Sequence, residues 1–177
     1  MEQVILVDAK DQPIGTMEKL QAHQQGKLHR CFSILIFNQA GEILLQQRAL
    51  NKYHTPGLWT NTCCSHQRPG EETLAAAHRR LVEEMGFDCA LHEVYEFVYK
   101  VPFENGLWEH EYDHILIGRY DGVVTPNPEE VNAYRWVSVD KLKQDMKDNP
   151  HHYTPWFHII LDEHYDRINA KIKKINF

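Results

Sequence analysis

A thiol and an imidazole stand two residues apart in the run of residues 59–66. Alternate side chains of an extended segment point to the same side, so Cys64 and His66 are expected to share a face. Cys63 then points away, and a buried free cysteine packs as a small hydrophobic residue. The run therefore offers Cys64 and His66 to one site and assigns Cys63 to the core.

Three histidines and two glutamates could together hold a metal ion, although they come from separate segments. His23 and His29 lie six residues apart, and His66 follows the cysteine pair. Glu109 and Glu111 alternate within a predicted strand, so they point to the same face. Three imidazoles and two carboxylates suit a divalent cation of intermediate hardness, such as Mn²⁺, Mg²⁺ or Zn²⁺.

The chain contains twelve histidines, and most of them are interpreted as ordinary residues. A histidine in a loop is usually solvated at the surface, and the same holds for each candidate ligand taken alone. The ordinary group comprises His54, His78, His92, His110, His114, His151, His152, His158 and His164.

Arg80 and Glu84 lie four residues apart on one face of a predicted helix. As a surface ion pair they would contribute about 0.3–0.5 kcal/mol. Alternatively, Glu84 holds Mg²⁺ and Arg80 binds phosphate oxygens, because one carboxylate suffices when a diphosphate supplies other ligands. Three more cations could complete a diphosphate clamp, namely Lys19, Arg48 and Lys52.

Hydrophobic periodicity and turn residues divide the chain into strands and helices. The predicted strands cover residues 4–8, 29–38, 42–48, 94–103, 109–119 and 134–137, and the second and third form a hairpin. The predicted helices cover residues 71–85, 139–147 and 155–174, and Gly86 caps the first. The pattern predicts a mixed β-sheet flanked by helices, α/β (α+β) in class, as a single compact domain over residues 1–177.

Composition excludes several classes of protein. The 177 residues are 42% hydrophobic and carry a net charge of −6, which is typical of a globular domain and argues against a general nucleic-acid binder. No apolar run approaches the roughly 20 residues of a membrane span. Four cysteines without an export signal favour reduced thiols, so we expect a cytoplasmic protein.

The residues resemble those of the type 1 isopentenyl-diphosphate delta-isomerases, a family of the Nudix-fold superfamily. The similar stretches follow the family's order along nearly the whole chain. They are residues 15–19, His23 with His29, 48–50, 56–61, 64–66, 79–80 with 83–86, 109–111 and 155–156. Ser65 stands where family members commonly carry glycine, and serine adopts a positive φ less readily.

The resemblance implies a Nudix-like fold and a metal-dependent isomerase without flavin that acts on a small homoallylic or allylic diphosphate. It implies that the metal ligands are His23, His29, His66, Glu109 and Glu111. It implies that the reacting end is formed by Cys64, Glu111, Tyr99 and Trp156. It implies that Glu84 holds Mg²⁺ with the substrate and that the diphosphate binds Lys19, Arg48, Lys52 and Arg80.

Two other hypotheses stay open. The predicted helix looks like a box that hydrolyses nucleoside diphosphates, except that Arg80 stands where an intact box carries glutamate. A diphosphate hydrolase with an unusual box is therefore one alternative, and a non-enzymatic diphosphate- or metal-binding module is another. The pattern predicts no nucleic-acid or membrane partner, and it leaves monomer and dimer equally open.

Overall fold

The chain folds around one mixed sheet in the computed structural model, which describes residues 2–52, 54–103 and 105–175. The strands of this part are β1 Gln3–Val7, β2 Pro13–Glu18, β3 His29–Phe37, β4 Glu42–Arg48, β5 Trp59–Thr60, β6 Cys63–Ser65, β7 Leu91–Pro102, β8 Trp108–Arg119 and β9 Val131–Ser138. Its α-helices are α1 Lys19–Gln25, α2 Thr73–Met85, α3 Val139–Asp148, α4 Pro155–Ile159 and α5 Tyr165–Ile172. The predicted class, a mixed sheet flanked by helices, is confirmed.

Strand β3 lies at the centre of the sheet. It pairs in parallel with β8 along its whole length and antiparallel with β1, β4 and β6. Eight of its nine residues are buried, which is typical of a strand covered on both faces. The strand can therefore carry polar functional groups on one face while the rest of its residues form core.

The predicted hairpin of β3 and β4 is present with its predicted turn, but its antiparallel pairing is short. In the described residues β3 and β4 are joined at a single register position, between Phe37 and Ile43. Beyond it β4 pairs along its length with β9. The reason is that β8 occupies one edge of β3 along its whole length, and β4 shares the other edge with β6, which pairs with residues 32–34, and with β1, which pairs at His29.

Helices cover the two faces of the sheet, and the two larger of the three hydrophobic clusters lie one on each face. Leu81 of α2 packs with Phe32 and Ile34 on one face. Phe157 of α4 packs with Leu35 on the other face. Alternation along β3 consequently sends residues 29, 31 and 33 toward the α4 side, where the site lies.

Most predicted boundaries are close to those observed, and strand ends differ by up to three residues. Helix α2 begins at Thr73 and not at residue 71. Its cap is Gly86 with φ of 75°, and a Cβ at that position would lie 2.1 Å from the Thr125 carbonyl oxygen, so glycine is required. The long C-terminal helix ends at Ile172 and contains a π-helical turn, Ile160–His164, between α4 and α5.

Four elements have no counterpart in the prediction, namely β2, α1, β5 and β6. All four are short, and two of them, α1 and β6, carry residues of the site. Ser65 lies inside β6, paired with Phe32 in extended conformation, so its position needs no glycine. Across the described ranges, no helix has both the length and the apolar character needed to span a membrane.

Candidate active site

Strand register brings the central polar residues together. The parallel pairing of β3 with β8 places His29 opposite Glu111 and Cys31 opposite Asp113. On the other side of β8, Tyr99 of β7 lies opposite Glu111. The register of three strands therefore gathers a thiol, an imidazole, a phenol and two carboxylates in one layer.

Helix α1 delivers Lys19 and His23 to this layer. The Glu18 carboxylate caps the helix by accepting hydrogen bonds from two backbone N–H groups, and Gly26 ends it in the left-handed conformation. The His23 imidazole reaches across to β8, where its Nε2 lies 3.0 Å from Glu109 Oε2. The helix is thus held at its two ends by Glu18 and Gly26, and in between by the contact of the His23 side chain with Glu109.

Three imidazoles converge on the two carboxylates of β8. His66 Nε2 lies 2.8 Å and His29 Nε2 3.3 Å from the same oxygen, Glu111 Oε1. One ligand atom from each of His23, His29, His66 and Glu111 lies within 4.8 Å of the others, and all four residues are buried. Glu109 is linked to this group through His23 and forms a second group with His23 and His54, so the structure brings the five predicted metal ligands close together in two groups that share His23.

The hydrogen bonds behind two imidazoles prepare them to bind a cation. His23 Nδ1 lies 2.6 Å from the Lys19 carbonyl oxygen, and His29 Nδ1 lies 2.8 Å from that of Lys27. A carbonyl oxygen only accepts, so both Nδ1 atoms donate and the Nε2 atoms present lone pairs in the neutral rings. His29 Nε2 is buried without a hydrogen-bond partner among the described residues. Lone pairs that face carboxylate oxygens need a cation between them, so the residues fit a divalent metal.

The pKa values of the two glutamates are shifted in opposite directions. Burial raises the pKa of Glu109, and the neighbouring charge of Glu111 raises it further. Burial acts in the same direction on Glu111, but the imidazoles of His29 and His66 outweigh it and hold its pKa well below the ordinary value. Burial also lowers the pKa of His66 to about 4, which favours its neutral, metal-binding form.

His54, which the sequence interpretation placed among the ordinary histidines, belongs to the site. Only 7% of it is exposed, and its Nε2 lies 3.4 Å from Glu109 Oε1. Its ring stacks on Phe103 with the centroids 5.4 Å apart. Burial and the charge of Arg48 lower its pKa to about 2, so the ring is neutral. The interpretation of His54 as a surface histidine is wrong because a loop folds it inward, and nothing in the local spacing indicates that.

The Cys64 sulfur and the Glu111 carboxylate line the same pocket as the Tyr99 and Trp156 rings. Tyr99 donates its O–H to Glu111 Oε2. Burial and the nearby charge of Asp113 raise the pKa of Cys64, so the resting group is a thiol. Cys63 is fully buried in the α2-side core, as predicted.

Four cations surround the pocket, as the clamp hypothesis requires. Each contacts an oxygen of the protein. Lys19 lies 3.3 Å from Glu2, Lys52 pairs with Glu130, and Arg48 donates to two carbonyl oxygens of the following loop. The Arg48 guanidinium also lies 5.4 Å from the centroid of the Trp156 ring. Flexible ion pairs of this kind can exchange a carboxylate for a phosphate.

The predicted pair on α2 is present and faces the pocket. Arg80 Nη2 lies 2.6 Å from Glu84 Oε1, and Gln46 Nε2 donates to the other carboxylate oxygen at 2.9 Å. Glu84 is 5% exposed, so it is no surface residue. A carboxylate oxygen has lone pairs beyond one hydrogen bond, which leaves Glu84 able to accept a cation.

Two buried polar residues near the Cys64 thiol, Ser33 and Asp113, were not predicted from the sequence. Ser33 Oγ donates to Asp113 Oδ2 at 2.8 Å, and both side chains are buried. Burial, reinforced by the charge of Glu111, raises the pKa of Asp113 to about 8. The alternation of β8, which identifies Glu109 and Glu111, also includes residue 113 and could have found it.

Known protein families and curated proteins contain close matches to this chain. The NUDIX domain model matches residues 27–157. A curated relative from Burkholderia multivorans, "Isopentenyl-diphosphate Delta-isomerase", is 55% identical over 161 residues, covering 91% of this chain and 92% of the relative. A protein of the same name from Pectobacterium atrosepticum is 50% identical over 159 residues, covering 90% and 89%.

Solved structures show the same fold at low sequence identity. A protein from Deinococcus radiodurans matches with a TM-score of 0.75 and 15% identity, covering 92% of this chain and 99% of its own. A MutT protein from Methanosarcina mazei matches with a TM-score of 0.65 and 21% identity, covering 81% and 96%. These likenesses confirm the predicted Nudix-like fold.

Proposed function

Because the chain belongs to the Nudix superfamily and, within it, to the isopentenyl-diphosphate Delta-isomerases, we propose that it interconverts isopentenyl and dimethylallyl diphosphate. The observation that carries the proposal is the convergence of a thiol and a carboxylate on one pocket that cations surround. Cys64 and Glu111 are the two reacting groups. Such a site suits a small apolar tail joined to a diphosphate, and the reaction belongs to isoprenoid biosynthesis.

The reaction moves a double bond by adding one proton and removing another. Protonation of the terminal alkene carbon gives a tertiary carbocation, and loss of a proton from the neighbouring carbon gives the shifted alkene. One group of the Cys64–Glu111 pair donates a proton and the other accepts one, so each turnover leaves the donor deprotonated and the acceptor protonated until one proton passes back between them. The Tyr99 hydroxyl donates a hydrogen bond to Glu111, so it can relay that proton between Glu111 and the other groups of the pocket.

The carbocation must be stabilised where water cannot reach it. The Trp156 ring is 3% exposed and lines the pocket, so its π face is desolvated. A cation over such a ring gains about 2 kcal/mol. The ring already attracts the Arg48 guanidinium, which supports its orientation toward positive charge.

The diphosphate supplies binding energy and takes no part in bond breaking. Lys19, Arg48, Lys52 and Arg80 bind its oxygens, and Glu84 contributes the protein ligand to an Mg²⁺ that accompanies the substrate. His23, His29, His66 and Glu111, with Glu109 beside His23, would hold a second divalent ion, Mn²⁺, Mg²⁺ or Zn²⁺. When bound, that ion stabilises the Glu111 carboxylate and fixes its orientation. We further propose that the enzyme acts in the cytoplasm without a nucleic-acid partner.

The test is incubation of the protein with isopentenyl diphosphate and Mg²⁺ in deuterated water, followed by NMR. We expect dimethylallyl diphosphate that carries deuterium in a methyl group and an intact diphosphate. The same sample is assayed for phosphate release, also with a panel of nucleoside diphosphates. Phosphate release without a double-bond shift would overturn the proposal in favour of hydrolysis, and binding without either product would reduce the protein to a binding module.

A further inference from the structure

We propose that Asn61 is a positioning residue for Cys64, whose thiol hydrogen its side-chain oxygen holds. The Cys64 sulfur lies 2.9 Å from Asn61 Oδ1, and Asn61 is fully buried in the run that joins β5 to β6. The inference rests on the proposed function in one respect, since it takes Cys64 as a group that reacts with the substrate. The hydrogen bond itself can be tested without any substrate.

The orientation of the Asn61 amide is determined by its neighbours. Its Nδ2 lies 3.1 Å from the Ile34 carbonyl oxygen and 3.0 Å from that of Cys63. Carbonyl oxygens only accept, so the NH₂ group must face them and Oδ1 must face the thiol. An amide oxygen has no hydrogen to give, and the thiol is therefore the donor of this bond.

A chain of hydroxyls holds the amide oxygen from the other side. Thr60 Oγ1 donates to Asn61 Oδ1 at 2.9 Å, and Thr154 Oγ1 donates to Thr60 Oγ1 at 2.9 Å. Thr154 is the N-cap residue of α4, the helix that carries Trp156. These hydrogen bonds thus connect the Cys64 thiol, through Asn61 and Thr60, to the start of α4, the helix that contains Trp156.

A second polar neighbour of the sulfur is Ser33. Ser33 Oγ lies 3.4 Å from Cys64 Sγ and gives its single hydrogen to Asp113. The thiol has a single hydrogen, and the shorter of its two polar contacts is the one with Asn61. A cysteine side chain has one torsion with three staggered positions, and an acceptor in a fixed place selects one of them. Asn61 consequently keeps the sulfur at the pocket wall.

Infrared spectroscopy of the S–H stretching band tests the bond directly. The Cys64 band is assigned by subtracting the spectrum of Cys64→Ala. In Asn61→Ala we expect the band to shift to higher frequency, because the acceptor is lost. In Thr60→Val we expect a shift to lower frequency, because the amide oxygen then accepts from the thiol alone. An unmoved band in both variants overturns the proposal, and Thr60→Val keeps the test decisive if Asn61→Ala does not fold.

Kinetics separate positioning from a purely structural role. Thr62→Val is the matched control, because Thr62 Oγ1 makes two buried backbone hydrogen bonds, with Ile36 N and Leu44 O. We expect Asn61→Ala to lower kcat on the order of 10- to 100-fold with a KM change below about threefold. We expect Thr62→Val, with a similar loss of thermal stability, to keep kcat. Equal kcat values for the two variants refute the proposal, whereas a wild-type protein without isomerase activity refutes the proposed function and leaves the infrared result valid.

Discussion

At the scale of single residues, Arg80 bears on the difference between holding a diphosphate and cleaving it. Its guanidinium lies 2.6 Å from Glu84, the pocket-facing carboxylate of α2. Burial opposes its charge, but Glu84 outweighs burial and raises the pKa of Arg80, so it stays cationic. A fixed positive charge here repels the additional metal ions that water activation requires and attracts phosphate oxygens.

Neutralising Arg80 should therefore weaken substrate binding more than the chemical step. For Arg80→Gln we expect KM to rise by about 10- to 100-fold with a smaller change in kcat, since one hydrogen bond to a charged group contributes about 1.5–3 kcal/mol. The control is Arg79→Gln, because the neighbouring Arg79 is held by Glu71 and Glu83. Steady-state kinetics with isopentenyl diphosphate measure KM and kcat for the two variants. The same KM in Arg80→Gln and Arg79→Gln would contradict a role of Arg80 in binding the diphosphate.

The adjacent cysteines give a second prediction. Cys64→Ala removes a proposed reacting group, so we expect kcat to fall by about 10²- to 10⁴-fold while substrate still binds. Cys63→Ala removes only a buried sulfur and should cost about 1 kcal/mol of unfolding free energy with nearly unchanged kcat. Activity assays, isothermal titration with substrate and urea unfolding measure the three quantities. Similar kcat losses in the two variants would show that the assignment to Cys64 is wrong.

How far the site can be predicted from the sequence depends on the residue. Glu109 and Glu111 share a strand face, and that periodicity alone brings them together. His54 has no such signal, because its place depends on a loop that packs it against Phe103. Asn61 lies in the most noticeable run of the chain, yet its role depends on carbonyl groups of two strands.

At the scale of elements, the short ones were missed because their stability comes from tertiary contacts. Helix α1 has seven residues, which is too short to form alone in water. It persists because Glu18 caps it and because His23 contacts Glu109. Strand β6 has three residues and is held by its pairing with β3. Longer elements such as β4 and α2 carry enough periodic residues to be found from the sequence.

The contacts of β8 with its neighbours predict a pH dependence of stability. His114 of β8 lies 2.6 Å from Glu93 of β7 and 3.2 Å from Asp11. Burial lowers its pKa, but these carboxylates outweigh burial and raise it above the ordinary 6.5. A raised pKa in the folded state stabilises the fold below pH 6.5, and this contribution disappears as the pH rises through the folded-state value.

Replacing His114 should remove that dependence. For His114→Gln we expect a lower unfolding free energy at pH 6, by up to about 1 kcal/mol because Glu93 is partly exposed, and a smaller difference from wild type at pH 9. Urea unfolding across this range, at constant metal content, measures the difference. The control is His78→Gln, because His78 also pairs with a carboxylate, but that carboxylate, Asp88, is half exposed and solvent screens the pair. We expect the effect of this substitution to change less with pH. A difference between wild type and His114→Gln that does not change with pH would contradict the linkage.

At the scale of the whole molecule, the sheet separates packing from chemistry. The α2 side of β3 is filled by apolar side chains, whereas the α4 side opens at one end into the cluster of imidazoles and carboxylates. The proposed metal ligands come from α1, β3, the segment after β6, and β8, which are far apart in the chain. A cation held by this cluster would therefore connect four segments and offset the repulsion between Glu109 and Glu111.

Removal of the metal should consequently lower stability as well as activity. Ligand binding at about 100 times its Kd adds about 2.7 kcal/mol, so we expect chelation to lower Tm by about 5–10 °C and to abolish isomerisation. Readdition of Mn²⁺, Mg²⁺ or Zn²⁺, one at a time with elemental analysis, identifies the ion that restores both. His66→Ala should lose the response to chelator, whereas His151→Ala, at an exposed position, should respond as wild type does. A Tm that is indifferent to chelation, in a protein that contains no metal by elemental analysis and still isomerises its substrate, would exclude the metal from both roles.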